Sequence, residues 1–231
     1  MLHKKNSSTK SSAFTPAINA LRPGIVVLTA FLVLACTSFD YTAFKESRPR
    51  SILVMPPVNE SVDIEAPATY ISSSTLPLAE SGYYVIPVVL SDTMFKENGI
   101  IAPEEAWAID YSRLHEIYGA DAALYITITR FGAQFMIIDS SVRAEAFARL
   151  VDLRTGVEIW SGKAFAEGSN NVRSGGGGLL GMLITATVNQ AINSLSDKSH
   201  QVGRTATRTL LSADSRNGIL YGPYHSKYMT D

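Results

Sequence analysis

The stretch ALYITITRFG, residues 123–132, decides the fold because the hydrophobic pattern of the chain changes its period there. Upstream, apolar residues recur at helical spacing, whereas here Leu124, Ile126 and Ile128 occupy alternate positions. A period of two is typical of a β-strand that buries one face. The pattern therefore predicts a strand whose Leu and Ile side chains share the core-facing side.

Downstream of this strand, the sequence predicts an antiparallel meander. Residues 143–152 (RAEAFARLVD) alternate in the same way, and residues 134–139 are a further strand candidate. The residues Arg-Thr-Gly at 154–156 predict a hairpin turn, because glycine accepts the backbone angles that tight turns require. Residues 157–166 then form the returning strand.

Upstream of residue 123, short β-rich runs alternate with helical segments. Residues 51–55 predict a strand, which ends at two prolines that cannot donate to a sheet. Residues 66–80 predict a helix that Pro77 interrupts near its end. A β-rich segment is predicted at 83–90 (YYVIPVVL) and a short helix at 91–97.

A longer helix is predicted to begin at Pro103, with two acidic residues near its positive end, and to stop at Gly119. Its apolar stripe consists of Ala106, Ile109, Leu114 and Ile117. Residues 178–212 are again predicted to be mainly helical. The predicted fold class is α/β of mixed α+β type. It is a single domain with a mixed central sheet flanked by helices, an antiparallel meander and C-terminal helices.

The first 35 residues combine a basic N-terminal region with a short apolar run. Four basic and no acidic residues precede the apolar run at 25–35, which is shorter than the roughly 20 residues of a membrane-spanning helix. The run ends in VLAC, and Cys36 is the only cysteine of the chain. VLAC resembles a lipobox, in which the thiol receives a diacylglyceryl group and the new amino group is acylated, for example with palmitate. A plain secretory signal with a buried free thiol is the alternative.

Lipidation at Cys36 predicts a location, since two or more acyl chains give stable membrane attachment. Thr37 stands where an Asp would signal inner-membrane retention, which favours the periplasmic side of the outer membrane. Exposure on the cell surface stays open. The predicted organisation is a signal peptide at 1–35, a lipidated cysteine and tether at 36–50, a periplasmic domain at 51–223 and a flexible tail at 224–231.

Composition argues against some classes of partner. All four charges in the signal peptide are basic, so the mature chain has more acidic than basic residues. It has no basic patch with interleaved aromatic residues, and nucleic acid is not expected as a partner. With Cys36 acylated, no cysteine remains for a disulfide, so the core alone must hold the fold.

The run RSGGGGLLGMLITATVNQAINSL, residues 173–195, has three interpretations. Phosphate binding is disfavoured because no Lys-Ser/Thr pair follows the glycines, and a membrane crossing because the apolar part is about half a span long. The third is a loop leading into a packed helix whose polar face carries no charge, which favours contact with a partner protein or another copy. The candidate contact residues are Gly175, Gly176, Gly177, Gly178, Gly181, Asn189, Gln190 and Asn193.

No catalytic or metal-binding motif stands out. His115, His200 and His225 lack the spacing of metal-ligand pairs, and no hydrolase signature is present. The sequence therefore predicts a non-enzyme without a cofactor, metal or small-molecule substrate. Residues distant in sequence can still meet in a catalytic triad, so this prediction rests on the absence of motifs alone.

Six blocks of sequence stand out, in order, across about residues 48–223. They are SILVMPPVNES, PLAESGYYVIPV, FKENGI, EIYGADAALYITI, ARLVDLRTGVEIWSG and SGGGGLLGML. Together they resemble the GNA-type family of bacterial lipoproteins. The resemblance implies an outer-membrane lipoprotein with a fold similar to the TolB N-terminal domain. It also implies an envelope neighbourhood shared with a lipoprotein similar to CsgG, the curli secretion channel. The family has no established catalytic residues, so the resemblance implies none here.

Two functions fit these features. The first is a structural role in a secretion or surface-assembly complex, with a CsgG-like lipoprotein and further copies of the chain as expected partners. The second is a regulatory module similar to LpoB, a lipoprotein that reaches through the periplasm to activate a peptidoglycan synthase. A tether at residues 37–50 would span at most roughly 46 Å. So short a tether favours work near the outer membrane and thus the first function.

Overall fold

A computed structural model of the chain describes residues 39–135, 140–169, 195–215 and 217–230. Cys36 and the predicted contact residues within 175–193 lie outside these ranges. The described residues from Asp40 onward belong to one compact unit.

Within the described residues, six strands form one mixed sheet. They are β1 (Ser51–Val54), β2 (Val58–Asn59), β3 (Tyr84–Val85), β4 (Ala122–Phe135), β5 (Ser140–Asp152) and β6 (Glu158–Ser169). Their order is β3-β1-β4-β5-β6, and β2 pairs with β4 farther along. The pairs among β1, β2, β3 and β4 are parallel, whereas β4, β5 and β6 run antiparallel. The predicted mixed sheet and meander are confirmed.

Six helices accompany these strands in the described part of the chain. They are α1 (Thr42–Ser47), α2 (Ala66–Glu80), α3 (Val88–Glu97), α4 (Pro103–Trp107), α5 (Tyr111–Tyr118) and α6 (Leu195–Leu211). Helices α2 and α6 pack together on one face of the sheet. Residues of α3, α4 and α5 join a second apolar cluster on the other face. The predicted C-terminal helix is confirmed at α6, and its earlier residues, 178–194, lie outside the described ranges.

Strand β4 lies at the centre because it carries core residues on both faces. Leu124, Ile126 and Ile128 are fully buried, as their alternation predicts. Between them on the opposite face, Tyr125 packs in the same cluster as Leu114 of α5. The prediction of a strand at 134–139 is confirmed for residues 134 and 135, which form the end of β4. Residues 136–139 lie outside the described residues.

The hairpin turns at residues 154–156, as predicted. Gly156 has a φ of 73°, in the left-handed region where glycine is favoured. The Asp152 carboxylate accepts hydrogen bonds from the backbone N–H groups of Arg154 at 2.8 Å and Thr155 at 3.1 Å. This turn sets the register in which β5 and β6 pair.

The predicted β-rich segment at 83–90 is wrong in its second half. Only β3 pairs with the sheet, and helix α3 begins at Val88, three residues before the predicted helix. Pro87 has no N–H to give to a sheet, and its φ of −55° suits the entry to a helix. Val89 is consequently 77% exposed on a helix surface.

The single helix predicted for residues 103–119 is two helices, α4 and α5. Asp110 separates them because its carboxylate accepts the backbone N–H of Ser112 at 2.9 Å, which caps a new helix. Leu114 of the predicted stripe is fully buried, but Ile117 is 45% exposed. Gly119 ends α5 with a φ of 63°, as predicted.

Helix α2 has the predicted bounds, yet Pro77 does not interrupt it. The helix continues to Glu80, and the backbone N–H of Ser81 still donates to the Pro77 carbonyl at 3.0 Å. A proline removes only one donor from the helix, and Pro77 is itself buried, so packing offsets that loss.

The segment predicted as a tether differs in the structure, because α1 folds onto the domain. Phe44 of α1 is 3% exposed. The Ser47 hydroxyl donates to the Asp152 carboxylate at 2.5 Å. Arg154 donates to that carboxylate at 2.6 Å and to the Ser47 carbonyl at 2.8 Å. The hairpin turn therefore holds the end of α1.

The C-terminal residues up to 230 also differ from the predicted flexible tail. The backbone N–H groups of Gly222 and Tyr224 donate to the carbonyls of Ser81 and Gly82 at 2.8 and 3.1 Å. A Cβ on Gly222 would lie 2.3 Å from the Gly82 carbonyl oxygen. Glycine at 222 thus permits a backbone contact that attaches this segment to the end of α2.

We expect Asp152→Asn to lower the free energy of unfolding at pH 7 by roughly 2 kcal/mol. Burial alone would raise the pKa of this carboxyl, but hydrogen bonds from Arg154 and Ser47 outweigh burial and lower it to about 2. Because the folded pKa lies below the ordinary aspartate pKa of 3.8, the stabilisation is full above that pH and is lost as the pH falls toward 2.

Urea unfolding of both proteins at pH 7, 4 and 2 measures this difference, which should close at the lowest pH. Asp92→Asn is the control, since Asp92 forms only an exposed pair with Lys96 and should change stability by about 0.5 kcal/mol or less. A difference that stays constant from pH 7 to pH 2 would contradict the role given to the Asp152 charge.

Candidate functional site

Helical cover on one face of the sheet stops beside β4. Residues of α3, α4 and α5 pack against Tyr125 and its neighbours, but Phe147 of the next strand is 45% exposed. Strand register brings six side chains of this face into two rows. One row is Tyr125, Arg149 and Ser161, and the next is Thr127, Phe147 and Lys163.

Together with Trp107 at the end of α4, these rows line a groove of about 430 Å³. We call it the open-face groove. Cross-strand partners on one face lie about 5 Å apart, so their side chains act as a continuous surface. The groove forms because β5 and β6 extend beyond the helices that cover β4.

Aromatic rings and one guanidinium group form the floor of the open-face groove. The Arg149 guanidinium carbon lies 4.5 Å from the ring centroid of Tyr125 and 5.8 Å from that of Trp107. Trp107 and Tyr111 meet the Tyr125 ring edge to face at 5.2 and 6.4 Å. The Trp107 indole N–H donates to the Pro56 carbonyl at 2.8 Å, which fixes the ring. Stacking leaves the edge of a guanidinium group able to bind an anion.

The cations of the groove differ in their partners. Lys163 Nζ lies 2.5 Å from one carboxylate oxygen of Glu145, and Arg130 lies 3.4 Å from the other. Lys163 also sits over the Phe147 ring, 4.6 Å from its centroid. Arg149, in contrast, has no ion pair with any carboxylate of the described residues. Its charge is therefore available to an acidic ligand.

The Tyr125 hydroxyl is buried and has no hydrogen-bond partner among the described residues. Burial and the neighbouring Tyr111 raise its pKa to about 12, against the opposing effect of Arg149. An unpaired buried hydroxyl destabilises a fold by about 1–3 kcal/mol. Such a group at a groove floor is explained if a bound partner, with a small movement of the ring, supplies the missing hydrogen bond.

This arrangement is suited to binding. Tyr, Trp and Arg are enriched in protein interfaces, and here they lie beside an exposed phenylalanine ring. The unpaired charge of Arg149 favours a ligand that carries a carboxylate. The geometry thus matches a peptide segment with an acidic residue next to an apolar one.

The sequence analysis did not single out these residues. A signal was present in RAEAFARLVD, where Phe147 occupies an outward position between the charged residues Glu145 and Arg149. An aromatic residue on the polar side of an alternating strand indicates a contact surface. The part played by Trp107 could not be seen, because the break after α4 and the register of β4 bring it to Tyr125.

The residues that the sequence did single out are not brought together here. Cys36 and the predicted glycine, asparagine and glutamine contacts lie outside the described residues and stay predictions. Each histidine of the described part has its own local contacts, which are His115 with Ala120, His200 with Thr69 and Glu65, and His225 with Tyr221. Among the described residues, no group of three His, Cys, Asp or Glu could hold a metal ion. The helices described include none with the length and apolarity needed to cross a membrane.

Comparison with known proteins gives consistent similarities. A family model described as "Putative lipoprotein GNA1162-like" matches residues 39–224. "Putative lipoprotein NMB1124/NMB1162" of Neisseria meningitidis serogroup B is 48% identical over 200 residues, which are 86% of this chain and 92% of the relative.

Among solved structures, the crystal structure of lipoprotein GNA1162 from Neisseria meningitidis is 44% identical with a TM-score of 0.51. It covers 55% of this chain and 88% of its own, and it shows the same α+β fold. The LpoB C-terminal domain from Salmonella enterica is 18% identical with a TM-score of 0.35, covering 60% of this chain and 92% of that one. Similarity this distant supports no conclusion about function.

We expect Tyr125→Phe to raise the free energy of unfolding by about 1 kcal/mol, because it removes a buried hydroxyl that has no partner. The difference from the parent protein should grow above pH 10. A raised folded pKa gives stability that is full below the unfolded value and is lost as the pH rises toward 12.

Tyr70→Phe is the matched control, since its hydroxyl is also buried and unpaired, but Tyr70 belongs to α2 and does not line the groove. Urea unfolding should show a gain in both variants, while only Tyr125→Phe should weaken binding of a groove ligand. A loss of stability in Tyr125→Phe would mean that the hydroxyl already has a partner in the folded chain.

Proposed function

Because the chain belongs to the GNA1162-like family of lipoproteins, we propose that it is a lipid-anchored envelope protein with a non-catalytic role in assembling a complex beside the membrane. Membership rests on the family model, which matches most of the chain, and on the close Neisseria relative. It confirms the resemblance carried by the six sequence blocks. Membership in a lipoprotein family implies anchoring to an envelope membrane, and Cys36 is the residue that would carry the lipid.

The observation that carries the assembly role is the packing of α1. Tyr41, just before α1, donates from its hydroxyl to the Gly218 carbonyl at 2.6 Å. It follows Cys36 by five residues, and five extended residues span at most about 18 Å. Helix α1 cannot lengthen this connection while Phe44 and Ser47 keep their contacts with the domain. A lipid on Cys36 would therefore hold the domain close to its own membrane.

The short connection weighs against the regulatory alternative. An LpoB-like module must cross the periplasm to meet a peptidoglycan synthase, which requires a long linker. A fully extended segment 37–50 would reach only roughly 46 Å from the membrane. With α1 folded, less than half of that reach remains. Partners on the same membrane are thus favoured.

The open-face groove is the surface we assign to such a partner. Arg149 offers a charge without a carboxylate, and Phe147 offers an exposed ring beside it. The partner would present an extended segment in which an acidic residue neighbours an apolar one. Its carboxylate would pair with Arg149 and its apolar side chain would cover Phe147.

A non-catalytic role is supported by the titratable groups that the structure describes. Those with a large pKa shift have structural explanations, since Asp152 holds α1 to the hairpin while Tyr70 and Tyr125 are buried aromatic residues.

We place the protein on the periplasmic side of the outer membrane, beside a CsgG-like lipoprotein and with further copies of itself. The residue after Cys36 and the family resemblance support this placement.

Affinity capture from detergent-solubilised envelopes tests the groove. Arg149→Glu should lower recovery of a co-captured CsgG-like lipoprotein at least tenfold, because it replaces the free charge by one that repels a carboxylate. Arg208→Glu is the matched control, since Arg208 is an exposed cation of α6 that pairs with Glu80. Equal recovery with both variants would rule out the groove. Capture of a peptidoglycan synthase instead would favour the regulatory alternative.

Inserting about 20 Gly/Ser residues after Ser38 tests the requirement for proximity. Such a linker adds roughly 25 Å of average reach without changing the fold. We expect the complex to be lost from envelopes although the protein remains lipidated and folded, as judged by circular dichroism and detergent partitioning. An unchanged complex would contradict work beside the membrane.

A further inference from the structure

A second cavity lies between α1 and the C-terminal segment, apart from the open-face groove. Its volume is about 150 Å³, and we call it the α1–tail cavity. Its lining is mostly apolar and aromatic, with Phe44, Tyr83, Tyr228 and Met229, and two cations complete it, Lys45 and Arg48. A hydrogen bond holds two of the lining residues together, since the Tyr83 hydroxyl donates to the Leu220 carbonyl at 2.5 Å.

The two cations are held toward the C-terminal segment and lack carboxylate partners. Arg48 ends α1 with a φ of 42°, its Nε donates to the Lys45 carbonyl at 2.8 Å, and its guanidinium lies 3.2 Å from the Met229 sulfur. Among the described residues, neither Lys45 nor Arg48 forms an ion pair. This local positive charge stands out because the mature chain is acidic overall.

The apolar part of the same surface is open to solvent. Met229 is 60% exposed next to Arg48. Lys227, in the same segment, lies 5.1 Å from the ring centroid of Tyr221, another residue of the cavity. Basic side chains interleaved with tyrosine and an exposed methionine are typical of surfaces that lie at a membrane–water interface.

The position of the cavity identifies the occupant. Lys45 and Arg48 belong to α1, the first helix after Cys36, and at most about 18 Å of chain separates Cys36 from Tyr41. A protein partner could use any face of the domain, but this face is the one that a lipid on Cys36 would bring to the bilayer.

We propose that the α1–tail cavity binds the headgroup of an anionic phospholipid and so orients the domain on the membrane. Lys45 and Arg48 contact the lipid phosphate, and Met229 and Tyr228 enter the boundary between headgroups and acyl chains. The anchor then fixes the distance to the bilayer, and this surface fixes which side of the domain faces it. The open-face groove is a separate surface, so this inference does not depend on the partner proposed for that groove.

Vesicle sedimentation tests the proposal with the chain from residue 36 onward carrying Cys36→Ser, so that no lipid anchor contributes. Vesicles of phosphatidylcholine alone are compared with vesicles containing about 30% phosphatidylglycerol. We expect binding only to the anionic vesicles, weakened as salt screens the charges. Inorganic phosphate at equal ionic strength should compete no better than chloride. Competition by phosphate alone, or equal binding to both vesicle types, would overturn the proposal.

Three variants assign the binding to this surface. Lys45→Gln and Arg48→Asn should each lower the partition coefficient about fivefold, as expected for one basic residue near an anionic surface. Asparagine is chosen at 48 because it tolerates the left-handed backbone there. Met229→Ser should lower binding at any salt concentration, since it removes apolar contact.

Lys163→Gln is the matched control, a cation on the open-face groove that should bind vesicles like the parent chain. Thermal unfolding by circular dichroism shows whether each variant is folded. Should Lys163→Gln lose as much binding as Lys45→Gln, the attraction would be a property of overall charge, and the assigned surface would be wrong.

Discussion

Strand β4 must satisfy hydrogen bonds on both edges and bury side chains on both faces, and the rest of the fold depends on this constraint. Its edges pair with β1 and β2 on one side and with β5 on the other. One face of β4 is covered by helices α2 and α6, and α6 continues over β5 and β6. The other is covered by short helices that reach only as far as Tyr125. The open-face groove lies where that second cover ends, so the candidate site is a direct result of an asymmetric sheet.

Much of this could be predicted from the sequence, because local pattern and final environment agree. The alternation at Leu124, Ile126 and Ile128 specified the buried face of β4, and the glycine at 156 specified the hairpin. The local pattern and the final structure disagree where a proline prevents strand pairing. The residues after Pro87 have strand propensity but enter a helix, since the proline cannot pair in a sheet and its backbone angle suits a helix start.

The open-face groove and the α1 contacts could not be predicted, since both depend on residues far apart in the chain. Tyr125, Arg149 and Trp107 meet only through strand register and the position of a five-residue helix. The segment TAFKES is polar enough to suggest a linker, yet one buried ring and one hydrogen bond to a hairpin carboxylate hold it on the domain. Periodicity reports which face of an element is buried, but it does not report which distant element will cover it.

The attachment of α1 to the hairpin turn and to the C-terminal segment also determines how the domain would respond to mechanical force. A pull on the lipidated end enters the fold through α1, which is held by Phe44, by the contacts of Ser47 and Arg154 with Asp152, and by Tyr41 on Gly218. None of these contacts is a rung of the sheet. Under tension, α1 would therefore detach first, while the strands stay paired. Its release would lengthen the connection between the membrane anchor and the domain, so that the force reaching the sheet is reduced.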